Sequence, residues 1–348
     1  MNRIRPFPPS IAFRKAWLAG FLLLAASPVR AGLTAGQLID QVGISQADVA
    51  RLQKGEIVSY SVVETGSKSL ATGIAMYLKT APARIVEVVR RGELAARDPD
   101  VTARGVVPSG AGVEAFAKFA YGRAQVDEAR DLLNVRPGSG FNLSAEEIAG
   151  FAALKASLAS DDDETVVEAV SRQYRSVLAA RLRAYRSKGL AGMAAYERGD
   201  GDKADPAAEL TDAIRASKLL GDRFPGLQKA LLGYPAEMPA GAEDSFIWLN
   251  RMVQGRPTPI LVHRIIHAGN DGALLLQSAF YVGHSYDVSQ TLAGTVPYLD
   301  GALVFYSVRS STDQVTGLGE ALKHSIGRGQ MEKEMIEKFR VLKASVKG

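Results

Sequence analysis

The sequence predicts an α+β fold: an antiparallel sheet, a long C-terminal helix and a large all-helical insertion. Three observations predict it. Residues 245–309 form successive apolar, β-branched runs separated by turn residues. Residues 318–345 carry an amphipathic helical pattern, and residues 112–235 carry helical periodicity almost throughout. The 348 residues are 47% hydrophobic, too apolar for a disordered chain and enough for a large core without covalent staples. Cysteine is absent, which excludes disulfides, thiolate metal sites, iron–sulfur clusters and a cysteine nucleophile.

Residues 1–31 read as a secretory signal peptide. Arg3, Arg5, Arg14 and Lys15 precede an apolar run from Ala16 to Ala26, and Val29-Arg30-Ala31 supplies a cleavage site after Ala31. The run is about half the roughly 20 residues a spanning helix needs. The leader also accounts for the net charge of +5. It holds five basic groups, counting Arg30, and no acid, so the remainder balances at 37 basic against 37 acidic groups. A neutral mature chain gives no support for nucleic-acid binding. The expected location is the periplasm or the medium, with no transmembrane helix in the mature chain.

Residues 32–111 form the N-terminal part of the α+β domain. Thr34-x-x-Gln37 and Ser45-x-x-Asp48 mark two short helices near 35–42 and 46–53. Residues 57–63 and 69–78 read as a hairpin around Glu64-Thr65-Gly66-Ser67. Pro82 opens a helix, since its missing N–H is unneeded in the first turn, and 101–107 is a further strand. Residues 112–235 are the helical insertion. Ser144-Ala-Glu-Glu147 is a capping box, and the acidic group Asp161 to Glu164 suits a helix start better than a cation site. Arg172, Arg175, Arg181, Arg183 and Arg186 spread around the next helix and predict a solvated surface. Residues 199–206 read as a linker. Its aspartates fail the calcium-loop pattern, having Ala204 and Asp205 at the fifth and sixth places.

Residues 236–348 hold the remaining sheet and the final helix. Residues 245–253, 259–268, 273–283 and 302–309 read as strands. Asn270-Asp271 and Leu299-Asp300-Gly301 mark tight turns. The first turn sets a register in which His267 faces Leu274, Ile265 faces Leu276, His263 faces Ser278 and Leu261 faces Phe280. Arg264–Gln277 and Ile266–Leu275 then lie on the other face. Gly327 and Gly329 predict a kink or break in the last helix.

Catalytic and metal motifs are weak. His263 and His267 lie on a strand, roughly 13 Å apart, too far to share one metal ion. Gly283-His284-Ser285-Tyr286-Asp287 lacks the second glycine of a nucleophile elbow. Arg309 and Asp313 flank Ser310-Ser311-Thr312 at the junction of the last strand and the final helix, where Asp313 caps that helix or pairs with Arg309, the alternative being an anion site. No phosphate loop follows a strand into a helix, and no cofactor is expected.

Three features together resemble the START/Bet v 1-like (SRPBCC, helix-grip) superfamily: Thr80-Ala-Pro82 through Val89 as strand-to-helix entry, the strands between 245 and 309, and the terminal amphipathic helix. They cover about half of the mature chain, and the stretch 112–235 departs from the pattern as an insertion. The resemblance implies a curved sheet gripping the last helix around an apolar cavity that takes a lipid or other hydrophobic small molecule. Some members are enzymes. The whole chain also resembles exported proteobacterial proteins, which implies a location and no activity. On this reading the ligand-binding candidates are His263, Ile265, Leu276, Phe280, His284, Tyr286, Tyr306 and Arg309. The alternatives are an enzyme of the same fold using His263 or His284 with Tyr286 or Asp287, and an envelope scaffold whose helical region docks a partner.

Overall fold

The structure, a computed structural model, describes residues 33–269 and 272–346. The leader and the Asn270-Asp271 turn lie outside the described residues. Two capped helices come first, α1 (Ala35–Val42) and α2 (Gln46–Gln53). Thr34 and Gln37 close the expected capping box, and the Ser45 hydroxyl accepts from the Asp48 N–H. β1 (Ile57–Tyr60) and β2 (Ser69–Leu78) pair antiparallel, β1 stopping short of the expected Val63. α3 (Pro82–Arg90) begins at its proline, followed by α4 (Glu93–Ala96) and β3 (Val101–Val107).

The helical stretch comprises α5 (Val126–Leu133), α6 (Ala145–Ser157), α7 (Asp163–Lys188), α8 (Pro206–Arg215), α9 (Lys218–Arg223) and α10 (Pro225–Leu232). It is not wholly helical. The expected linker at 199–206 contains a hairpin turn, because β4 (Tyr196–Gly199) pairs with β5 (Asp202–Ala204), and Pro206 starts α8 directly. Asp200, Gly199 and Gly201 supply the positive φ the turn requires. Asp162 caps α7 by accepting from Thr165 N–H, so the acidic group is a helix start. Arg181 departs from the solvated surface expected of its neighbours. It is buried, bonded to both carboxylate oxygens of Glu147, and its guanidinium lies 4.3 Å from the Tyr281 ring centroid.

The last third supplies β6 (Ala242–Val253), β7 (Arg256–Gly269), β8 (Gly272–Val282), β9 (Val288–Tyr298), β10 (Gly301–Ser311) and α11 (Glu320–Ser345). β9 is a full strand that the apolar pattern left unassigned, since Gln290, Thr291 and Thr295 interrupt it. With β1–β3 these strands form one eight-stranded antiparallel sheet in the order β1-β2-β10-β9-β8-β7-β6-β3. The β7–β8 register is as expected from His267–Leu274 to His263–Ser278. Beyond it a bulge shifts the pairing, so Leu261 faces Tyr281 instead of Phe280. α11 runs through Gly327 without a break. A Cβ at Gly327 would stand 2.6 Å from Leu70 Cδ1, so the glycine permits close approach of helix to sheet.

Both faces of the sheet are covered. The back face carries Phe246, Trp248, Leu261, Ile265, Leu276, Phe280, Leu292 and Phe305, which join α1, α2 and the helical stretch in one continuous buried cluster. The front face behaves differently. Its apolar side chains fall into two separate groups: Ile74, Met76, Val304, Met335 and Phe339 where α11 lies on β2 and β10, and Ile260, Val262, Ala279 and Val282 farther across.

Candidate functional site

Between those two front-face groups lies a cavity bounded by the sheet, α3, α4 and α11. It has two adjoining lobes, of about 220 Å³ and about 460 Å³, which share Ile247, Leu249, Arg251, Gln277, Tyr306 and Lys338 in their walls. The smaller lobe is the more apolar, with Ile85, Val89, Ile266, Leu275, Val304 and Phe339 among its lining. The larger lobe reaches Tyr286, Ser289 and the N-terminal half of α11 at Ile326, Gly327 and Met331. Strand parity places these groups in rows. Ile266, Leu275, Ala293, Tyr306 and Ile74 form one row across adjacent strands; Arg264, Gln277, Thr291 and Val308 form the next. Neighbouring strands are about 4.8 Å apart, so the second row lays a polar stripe across an apolar wall.

Two arginines of that wall have opposite surroundings. Arg251 contacts three carboxylates, Asp98 and Asp100 at 3.3 Å and Glu334 at 3.1 Å. Arg264 has no carboxylate within ion-pair distance among the described residues; its Nε donates to Ser245 Oγ at 3.0 Å. Burial pulls its pKa below the usual arginine value, the nearby Glu243 opposing, yet arginine stays charged at any ordinary pH. Lys338 Nζ lies 3.5 Å from Tyr306 Oη, likewise without a carboxylate among the described residues. At the far end of the smaller lobe the Thr295 hydroxyl is buried without a hydrogen-bond partner among the described residues. Burial pushes the Tyr286 phenol up to about 12, Arg251 opposing, so it remains protonated.

Of the candidates read from sequence, Tyr286 and Tyr306 line this cavity. The other six do not. His263, Ile265, Leu276 and Phe280 share a face, as the register requires, but it is the back face. There Phe280 stacks on Tyr185 at 4.0 Å between ring centroids. His263 is fully buried between Asp244 Oδ1 at 2.7 Å and Tyr185 Oη at 3.2 Å. Arg309 donates to the carbonyls of Val63 and Ala216. Asp313 pairs with Lys68 and Arg198, not with Arg309, and Thr312 caps the short turn at that junction.

The pairs proposed for catalysis do not form. His284 meets Thr258 Oγ1 through Nε2 at 2.8 Å and Ser285 Oγ through Nδ1 at 2.6 Å, with neither the Tyr286 nor the Asp287 side chain. Burial, and then Arg256, lower its pKa to about 3. Ser285, at φ +74°, borders the larger lobe. A base that weak gives little drive to take a proton from a hydroxyl. Asp287 belongs to a buried carboxylate group. Arg198 donates to it, Glu209 crowds it, and burial followed by that repulsion raises its pKa to about 7. Burial raises Glu209 as well, with Ser311 and Lys68 opposing. Sequence reading missed Arg264, Gln277 and Lys338. A signal was present: a basic residue at a strand position on the same face as Gln277, amid large apolar neighbours.

No family model matches the chain, and no curated protein matches it. Among solved structures, one titled "Crystal structure of Ara h 8.0201" is similar over 40% of this chain and 89% of that one, with 13% identity and a TM-score of 0.20. No helix among the described residues is long and apolar enough to cross a membrane.

Proposed function

We propose that this chain is an exported, non-enzymatic binding protein that holds a hydrophobic small molecule or lipid between its sheet and α11. The observation that carries the reading is the cavity itself. One face of the sheet is packed solid, whereas the other leaves two lobes walled mainly by apolar side chains with few polar groups, the usual make-up of a small-molecule site. The weakness of His284 as a base and the enclosure of His263 favour binding over catalysis. The scaffold alternative gains little support, since Val113 is the one large apolar side chain that residues 112–235 expose among those described.

Solvent extraction of protein purified from periplasmic fluid, followed by mass spectrometry, is expected to release an apolar molecule near one per chain. Ala293→Leu, which fills part of the smaller lobe, is expected to lower that yield. Recovery of nothing, together with no uptake of apolar probes, would remove the proposal. Export rests on the leader, and N-terminal sequencing of the same material is expected to begin at Gly32.

A further inference from the structure

The charges along the cavity wall do not cancel. Among the described residues the two carboxylates lining it, Asp98 and Glu334, are both engaged by Arg251. Glu243, whose charge acts on Arg264 from outside the wall, is itself bonded by Arg90. Arg264, Lys338 and Lys323 also line it, and none has a carboxylate partner among the described residues. Lys323 is turned to the Thr316 carbonyl at 2.7 Å. Arg264 differs from both lysines in being fixed. Its Nε donates to Ser245 Oγ, and that hydroxyl lies 3.4 Å from the Arg264 carbonyl oxygen, an acceptor within the same β6–β7 pair. The two terminal nitrogens are left as a planar fork on a half-buried wall, with Gln277 directly opposite on β8. A guanidinium fork matches the two oxygens of a carboxylate in length and plane. A half-buried cation lacking a counter-ion is costly, and an anion supplied from outside relieves that cost.

The position of Arg264 also sets the direction of the rest of the ligand. Its row borders both lobes through Gln277. The next row, Ile266, Leu275 and Ala293, leads into the smaller lobe, where Val304, Phe339 and Leu342 continue an apolar wall. We infer that the cavity is built for a single-chain amphiphile with a carboxylate head, the carboxylate on the terminal nitrogens of Arg264 and the acyl chain along Leu275 and Val304 toward Phe339. This rests on the cavity-binding reading and adds the charge and polarity of the ligand.

The test uses the full mature chain stripped of co-purified material, with calorimetric titration of decanoate, decanol and decyl phosphate at pH 8. The wild type is expected to bind decanoate at least tenfold more tightly than decanol. Arg264→Gln is expected to lose that margin, and Arg264→Lys is expected to recover only part of it. A cooperative melt of Arg264→Gln with the far-ultraviolet circular dichroism of the wild type shows that the variant folds. Equal affinity for decanoate and decanol, or an unchanged decanoate affinity in Arg264→Gln, would overturn the carboxylate assignment and leave the binding reading standing. Tighter binding of decyl phosphate than of decanoate would overturn the choice of headgroup. Failure of all three amphiphiles would sink both proposals.

Discussion

The two faces of the sheet share one backbone, yet they are built to different ends. On the back face Trp248, Phe280, Tyr281 and Phe305 are all nearly inaccessible, and their neighbours merge into a single core. On the front face Ile247, Leu249, Leu275 and Tyr306 remain partly open, and the core splits around a cavity. The difference teaches where polarity is tolerated. Back-face polar groups such as Arg181 and His263 are fully enclosed and satisfied by partners within the chain. Front-face Arg264 is held on one side only, and Thr295 leaves a buried hydroxyl unused. Unpaired groups occur on the back face too, where Asn250 Oδ1 and His267 Nδ1 are buried without a partner among the described residues. The two faces therefore differ in packing and in the setting of Arg264 rather than in every polar group.

The strongest way to break this contrast is truncation on each face. Phe280→Ala is expected to cost about 3–5 kcal/mol, because a stacked ring is lost from a packed layer. Leu275→Ala is expected to cost less than about 1.5 kcal/mol, since its side chain already borders empty space. Equal losses by urea denaturation would show the front face to be packed as tightly as the back. Enlargement sharpens the point with the opposite sign. Ala75→Leu on the buried back face is expected to destabilise by about 1–3 kcal/mol, whereas Ala293→Leu on the cavity wall should be neutral or stabilising.

A smaller effect concerns the enclosed charges near the back layer. The Asp287 pKa, about 7, stands above its unfolded value. Between roughly pH 4 and 7 the native state therefore holds a proton that the unfolded chain has released. The stability it contributes is complete below that window and is lost as pH rises through it, by at most about 1.4 kcal/mol per pH unit. Asp287→Asn is expected to flatten that slope in melting curves taken across the window. Parallel curves for wild type and variant would remove Asp287 as the cause.

Much of the fold was legible because caps, prolines and turns act locally. Thr34, Ser45, Pro82 and Ser144 start the helices where the residues say they should, and the register from His263 to His267 follows from the turn after Gly269. The site was less legible, and the reason is physical. β7 is buried almost continuously from Pro257 to Ile266 because layers cover both faces, so alternation no longer tells inside from outside. The histidines and large aromatics on one parity suggested a pocket, but such groups fill a solid layer best. β9 escaped because Gln290, Thr291 and Thr295 break its apolar run, and all three are buried in the sheet. Tyr286 and Tyr306 border the cavity as the sequence suggests, whereas Arg264 on its strand and Lys338 on its helix read as surface until the face each occupies is known.

The central claim is that the front face is hollow in order to hold a ligand. Titration of the stripped protein with N-phenyl-1-naphthylamine, a neutral apolar fluorophore, tests it most directly. The account predicts a saturable rise in emission at one site per chain, weakened severalfold by Ala293→Leu at unchanged or raised melting temperature. An absence of saturable binding, or a titration indifferent to Ala293→Leu, would contradict it.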